Sequence, residues 1–192
     1  IERVVVSQLI RSSGVFFTSE LARGRRYYGA KIIPNRGAWL EFETDTNNVL
    51  WVKIDRKRKV AVTSLMRAFG LGTDEEIMKA LGEADNHPDN KYVAATLTKD
   101  TSHSEPEGLI EVYKRIRPGD LATVDNARQL IHNMFFNFSR YDFGRVGRYK
   151  LNQRFNLDIP NTKETRVLRP QDLVGIIREI IILNNTQAEP DD

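Results

Sequence analysis

The chain has 192 residues, of which 40% are hydrophobic and 29% are charged, and its formal net charge is +3. Nine Phe, six Tyr and two Trp provide core material that excludes a wholly disordered chain. The absence of cysteine excludes disulfides, thiolate metal sites and cysteine nucleophiles. No apolar stretch reaches the roughly 18 residues that a membrane-spanning helix needs.

The first part of the chain predicts antiparallel strands. β-branched and aliphatic residues predict three strands, at 4–10, 14–18 and 30–33. Segments 38–44 and 49–55 alternate apolar and polar residues on either side of the polar turn 45–48. This alternation is typical of an antiparallel hairpin with one solvated face. It places Leu40 on the buried face and Trp39 on the polar face.

The remainder of the chain predicts helices. Helical periodicity and capping residues indicate six of them, at 61–69, 73–82, 104–117, 123–138, 147–155 and 170–183. The polar segment 86–104, which contains Pro88, is predicted to be an exposed connection. We therefore expect an α+β fold, in which antiparallel strands mainly from the N-terminal part pack with helices mainly from the C-terminal part.

The charges are unevenly distributed along the chain. Residues 21–36 contain five bases and no acid, and the basic stretches 53–59 and 140–154 contain five bases and one acid each. By contrast, residues 72–111 contain ten acids and three bases. A surface divided by sign in this way predicts an anionic ligand on its basic side.

The sequence contains no motif for catalysis or metal binding. It lacks the G-x-x-x-x-G-K, H-E-x-x-H and G-x-S-x-G patterns. His87, His103 and His132 lie too far apart to have the spacing of paired metal ligands. We therefore expect neither a metal site nor a cofactor in this chain, and a stand-alone enzyme is the least favoured class.

Aromatic residues accompany the basic stretches. Cations that bind phosphates and rings that stack on bases are what sequence-tolerant binding of a nucleic acid single strand requires. The alternatives are protection of a sheet edge by residues 53–59, coverage of the domain's own surface by Trp39, and solvated arginines in 140–150. The candidate contacts that these stretches contain are Arg36, Trp39, Arg56, Lys57, Arg58, Lys59, Arg140 and Arg148.

Several segments closely resemble the lobe domain, also called the second β domain, of the β subunit of bacterial RNA polymerase. The matching segments are, in the same order, 2–17, 33–43, 52–59, 112–119 and 140–150. We expect residues 1–192 to be a single lobe-type domain, with about residues 1–10 belonging to the neighbouring protrusion. The chain begins within a predicted strand, so we also expect it to be a piece of a longer protein.

The resemblance implies a role in holding the non-template strand and the downstream duplex when DNA melts. It implies contacts to the single strand by Arg11, Trp39, Arg117 and Arg140, and it places residues 56–59 near DNA. The resemblance also implies that Arg3 and Val6 border the site of rifamycin antibiotics. Ser13 departs from the proline that the family usually has.

The resemblance further implies partners and a location. The partners are DNA, the other polymerase subunits, and sigma or other transcription factors; the location is the cytoplasm, in association with the nucleoid. The whole enzyme is a nucleotidyltransferase whose magnesium is held by another subunit. Two alternatives stay open: a docking module that uses the acidic segment 72–111, and a free single-strand binder, which would bind tightly on its own.

Overall fold

The computed structural model describes residues 13–188, which form an α+β fold, as predicted. One antiparallel sheet has the strand order β1-β2-β3-β4-β5. Its strands are β1 (Gly14–Ala22), β2 (Arg25–Ile33), β3 (Leu40–Thr44), β4 (Leu50–Ile54) and β5 (Val60–Ala61). The helices are α1 (Val62–Ala68), α2 (Asp74–Leu81), α3 (Tyr92–Lys99), α4 (Glu105–Ile116), α5 (Val124–Ile131), α6 (Gly144–Phe155) and α7 (Pro170–Thr186). The predicted strand at 4–10 lies outside the described residues.

The β1–β2 hairpin is longer than predicted. Arg23 and Gly24 have φ of 54° and 74°, so they form a two-residue turn whose twist matches that of the strands. The strands pair from Ala22 opposite Arg25 to Gly14 opposite Ile33. Arg25 and Arg26, which follow Gly24, therefore lie in strand β2. The sequence predicted this strand only from residue 30, because charged residues are not typical of strands.

The β3–β4 hairpin has the predicted alternation. Leu40 pairs with Ile54 and Phe42 pairs with Val52, and all four side chains are buried on the face that the helices cover. We call this the inner face. Residues of opposite parity, such as Glu41, are partly exposed on the outer face. The predicted solvated face is thereby confirmed.

Helices cover the inner face and bury one continuous core. α1 is buried over its whole length because it lies between the sheet and α4. Gly108 of α4 permits this approach, since a Cβ atom there would lie 2.6 Å from the Arg67 Cβ and 2.8 Å from the Ser64 carbonyl oxygen. Among residues 13–188, no helix is long and apolar enough to cross a membrane.

The helix starts follow the predicted capping residues. Thr73 forms a capping box with Glu76, and the side chains of Ser104 and Thr123 accept hydrogen bonds from the first turns of α4 and α5. Pro170 occupies the first turn of α7, as expected. α5 continues into a π-helical turn at 132–136, within the predicted helix.

The prediction that residues 86–104 form an exposed connection is wrong. Helix α3 lies within this segment, and its Tyr92 and Val93 are buried. The carboxylate of Asp85 accepts hydrogen bonds from the N–H groups of Tyr92 and Val93, at 2.9 and 3.0 Å. Because the cap comes from an earlier loop rather than from the residue before the helix, the local sequence carries no starting signal.

Candidate nucleic-acid interface

Trp39 lies at the end of the sheet where β3 begins and β4 ends. Its carbonyl oxygen accepts a hydrogen bond from the Asp55 N–H at 2.9 Å, and its own N–H donates to Asp55 Oδ1 at 2.9 Å. The Arg56 guanidinium carbon lies 6.0 Å from the centre of the Trp39 ring. Trp39, Asp55 and Arg56 line a shallow pocket of about 240 Å³. A partly exposed ring thus lies beside a cation.

The basic run 56–59 projects into solvent because of the backbone turn that precedes it. Asp55 and Arg56 have φ of 50° and 62°, in the left-handed region that residues other than glycine seldom adopt. The turn is closed by the Lys57 N–H, which donates to the Ile54 carbonyl at 2.9 Å. Arg56, Lys57, Arg58 and Lys59 are all exposed.

Trp51 occupies the outer face differently from Trp39. Its indole N–H donates to Asp45 Oδ2 at 2.9 Å, and the Lys59 amine lies 4.7 Å from its ring centre. Burial alone would raise the pKa of Asp45, but hydrogen bonds from Trp51, Val49 and Asn47 outweigh it and lower that pKa. Trp51 is therefore held by its own domain, whereas the hydrogen bonds that Trp39 forms with the described residues involve only its backbone.

A short bridge joins the segments that carry Arg36 and Arg140. The Arg36 N–H donates to the Asp142 carbonyl at 3.1 Å, and the Asp142 N–H donates to the Arg36 carbonyl at 2.8 Å. The Arg36 guanidinium also donates to the Phe138 carbonyl at 2.6 Å and lies 5.1 Å from the Phe138 ring centre. The bridge brings the exposed Arg140 beside Gly37, two residues before Trp39.

Arg117 lies at the C-terminal end of α4, where it is exposed. The neighbouring Arg115 donates from Nε to the Lys59 carbonyl at 3.1 Å. This bond ties the end of α4 to the end of the basic run. Arg115 was not among the predicted contact residues, because its bond to Lys59 joins residues 56 positions apart and leaves no local pattern in the sequence.

The prediction that Arg148 contacts DNA is wrong for the folded chain, because its side chain is fully buried. Its guanidinium forms a two-pronged ion pair with Asp172, at 2.6 and 2.9 Å. The remaining donors bind the carbonyls of Thr165 and Val167, both at 2.8 Å. All three guanidinium nitrogens therefore have partners within the domain.

Three predicted positions, Arg3, Val6 and Arg11, lie outside the described residues. The contact of Arg11 with a single strand and the place of Arg3 and Val6 at the edge of an antibiotic pocket therefore stay predictions. Residues 13–188 contain no group of three or more metal-binding side chains placed to hold a metal ion.

Some carboxylates of the acidic segment 72–111 are buried or ion-paired within the domain. Asp100 and Asp85 are buried, and Asp74 pairs with the buried Arg67 at 2.5 Å. Glu105 pairs with Arg128 at 3.0 Å. Within the described part of the chain, the exposed acids of this segment are Asp74, Glu75, Glu76, Glu83, Asp89 and Glu107. Six of the ten acids are therefore exposed, so this segment still presents an acidic face on which a docking module could rely.

The fold and this surface together define an α+β domain that presents exposed cations beside the partly exposed Trp39 ring at one end of a sheet. A family model described as RNA polymerase Rpb2, domain 2, matches residues 11–192. The chain belongs to this family, so the resemblance found in the sequence is confirmed.

Named relatives agree with the family match. The chain is 47% identical over 194 residues to the DNA-directed RNA polymerase subunit beta of Dehalococcoides mccartyi, covering 100% of this chain and 15% of that protein. It is 46% identical to the subunit of Gloeobacter violaceus and 44% identical to that of Chloroflexus aggregans, again over 100% of this chain. It spans 16% and 18% of those two proteins, respectively.

Proposed function

We propose that this chain is the lobe of the β subunit of a DNA-directed RNA polymerase and that it holds the non-template strand and downstream DNA during transcription. In this proposal the whole enzyme is a cytoplasmic, nucleoid-associated nucleotidyltransferase, and catalysis and its magnesium belong to other parts of it. The partners are DNA, the other polymerase subunits, and sigma or other transcription factors. The observation that carries the proposal is the exposed basic run 56–59 beside the partly exposed Trp39, together with the backbone bridge that joins the segment of Trp39 to that of the exposed Arg140.

Electrostatics supports this assignment. The four cations of the run 56–59 are exposed, and the described residues give them no carboxylate partner within 4.0 Å. An unpaired cation attracts a phosphate without first having to leave an ion pair. Each phosphate neutralised on a single strand contributes a slope of about −0.7 to the dependence of log affinity on log salt.

The ring geometry supports a single strand rather than a duplex as the ligand at Trp39. A base can stack on an exposed ring only when it is unpaired, and such stacking contributes about 1–3 kcal/mol per base. The Arg56 guanidinium lies over the same ring, 6.0 Å from its centre, so a phosphate that adjoins a stacked base would meet a cation there. The side chains are cations and a ring, so we expect little preference for particular bases.

The structure argues against two simpler explanations, which are protection of a sheet edge by residues 53–59 and coverage of the domain's own surface by Trp39. Residues 56–59 form the loop between β4 and β5, and β4 is paired on both sides, so the run does not line the free edge of a strand. Among residues 13–188, the ring of Trp39 has no partner for a side-chain hydrogen bond like the one that ties Trp51 to the domain surface. Both observations favour a ligand outside the chain.

The test replaces Trp39 in the complete polymerase. Trp39→Ala is expected to shorten the open-complex lifetime about 5- to 150-fold, the equivalent of one lost stacking contact of about 1–3 kcal/mol. Nucleotide addition on a preformed bubble should change less than twofold. Trp51→Ala is the matched control, because it removes the other tryptophan of the outer face and should leave the lifetime unchanged. Equal losses of lifetime and nucleotide addition in Trp39→Ala would contradict the proposed division of roles.

The affinity of the isolated chain separates the proposal from a free single-strand binder. We expect the chain alone to bind single-stranded DNA weakly, because the other DNA-contacting parts of the polymerase are missing. We also expect its affinity to fall steeply as the salt concentration rises. Tight binding, measured by titration of tryptophan fluorescence, would favour the free binder. An affinity independent of salt would refute the phosphate contacts themselves.

A further inference from the structure

Gly37 lies at the closest approach between the two segments that carry the proposed DNA contacts. Its φ of +124° is in the region that favours glycine. A Cβ atom at this position would lie 2.8 Å from the Arg140 carbonyl oxygen and 2.8 Å from the Tyr141 Cδ2. Both the backbone angle and the contact therefore require the absence of a side chain.

The surface that Gly37 meets is firmly supported from below. The Tyr141 ring is fully buried, with its centre 6.0 Å from that of Phe135 and 5.1 Å from that of Phe143. The Phe143 ring in turn lies 5.1 Å from the guanidinium of the buried Arg148. Because this support is close-packed, an added side chain at position 37 cannot be absorbed by moving Tyr141 inward.

The contact between Gly37 and Tyr141 lies next to the two hydrogen bonds that join Arg36 to Asp142. Together they connect residues 36–39 with residues 138–142, which are far apart in the sequence. Arg36 and Trp39 are on one side of this connection, and Arg140 is on the other. We call this contact, with its bridge, the Gly37–Tyr141 joint.

We propose that Gly37 is a positioning residue that holds Trp39 and Arg140 in one rigid frame, so that both contact the same single strand cooperatively. This inference rests on the proposed function and deepens it. Two contacts held at a constant separation need little ordering when the strand binds, whereas two independent loops must each lose conformational freedom. A cooperative pair also shows non-additive effects when its members are removed.

The test is a double-mutant cycle in the complete polymerase, with open-complex lifetime as the readout. Trp39→Ala and Arg140→Ala are measured singly and together, first with Gly37 and then with Gly37→Ala. With Gly37, we expect the double variant to lose less than the product of the single losses, by about threefold or more. With Gly37→Ala, the losses should multiply, because the joint has been forced apart.

The control is Gly70→Ala. Gly70 has a similar φ of +114°, but a Cβ atom there would meet nothing within 4 Å. This variant carries a comparable backbone strain without touching the joint, so it should retain the coupling between Trp39 and Arg140. Equal loss of coupling in both glycine variants would reduce the effect to general destabilisation and would overturn the proposal.

The outcomes separate this inference from the proposed function. If neither Trp39→Ala nor Arg140→Ala changes the lifetime, the proposed function itself fails. If both change it but their coupling is the same with Gly37 and with Gly37→Ala, only the inference is overturned. Tyr141→Leu, which trims the ring that Gly37 contacts, is measured in the same cycle in case Gly37→Ala does not assemble. Undiminished coupling in that variant likewise overturns the inference.

Discussion

The loop of residues 56–59 and the helical part of the chain are both rich in charge, but their charges have different surroundings. In the loop, four basic side chains are exposed beside Trp39 and Trp51. In the helical part, Arg67 and Arg148 are fully buried and paired with carboxylates. The loop charges are therefore available to a ligand, whereas the two buried arginines hold the domain together.

The difference shows that charge density along a sequence does not identify a binding surface by itself. Arg140 and Arg148 belong to one basic stretch, yet Arg140 is exposed and Arg148 faces Asp172 in the interior. What decides availability is whether the fold supplies a partner. Three substitutions test this distinction, from the largest expected effect to the smallest.

Removing the partner of Arg148 should have the largest effect. Asp172→Ala leaves a buried guanidinium without its carboxylate and is expected to lower the free energy of unfolding by about 3–5 kcal/mol. The measurement is urea denaturation of the chain. The matched control replaces both members by apolar residues, Arg148→Met with Asp172→Leu, and should cost much less. A loss below about 1 kcal/mol in Asp172→Ala, which is the range of an exposed ion pair, would show that the pair contributes no more than a surface pair does.

Replacement of Asp100 should have a smaller effect on the free energy of unfolding, and this effect should depend on pH. Its carboxylate accepts hydrogen bonds from Ser64 at 2.7 Å, from the Ser102 N–H at 2.8 Å and from the Ser102 hydroxyl at 2.6 Å. Burial alone would raise the pKa of Asp100, but hydrogen bonds donated by Ser102, Thr63 and Ser64 outweigh it and lower the pKa. The folded state therefore favours the charged carboxylate.

The sign of the pH dependence follows from the lowered pKa. The stabilisation is complete above the unfolded-state pKa of about 3.9 and is lost as the pH falls through the lower folded-state pKa. Asp100→Asn should cost about 1–3 kcal/mol at neutral pH. It should also flatten the decline in unfolding free energy below about pH 4. An unchanged acid slope in the variant would show that Asp100 does not contribute to it.

A substitution in the exposed loop 56–59 should change the free energy least, but it should change the salt dependence of single-strand binding. Arg58→Gln should reduce the magnitude of the salt slope for single-strand binding by about 0.7, the contribution of one phosphate contact. Arg128→Gln removes the same charge from the helical part, where Arg128 pairs with Glu105. It should leave the slope unchanged. Equal changes in the two variants would indicate that only the net charge matters, and the comparison of the two regions would fail.

Local patterns were sufficient to predict much of the fold. The alternation of Leu40 and Phe42 with Glu41 predicted the correct inner face, because side chains on a strand alternate with a period of two. The caps at Thr73 and Thr123 predicted the helix starts, because each cap bonds to a residue three positions away. Helix α3 escaped prediction because its cap, Asp85, comes from an earlier loop.

By itself, the sequence determined the α+β class, the exposed position of residues 56–59 and the family of the chain, since these depend on neighbouring residues or on direct matching of segments. Only the tertiary structure decided that Arg148 is buried against Asp172 and that Gly37 joins the segments of Trp39 and Arg140. The physical reason is that desolvation and close approach depend on residues that folding brings together from distant positions, and such pairings leave no local pattern in the chain.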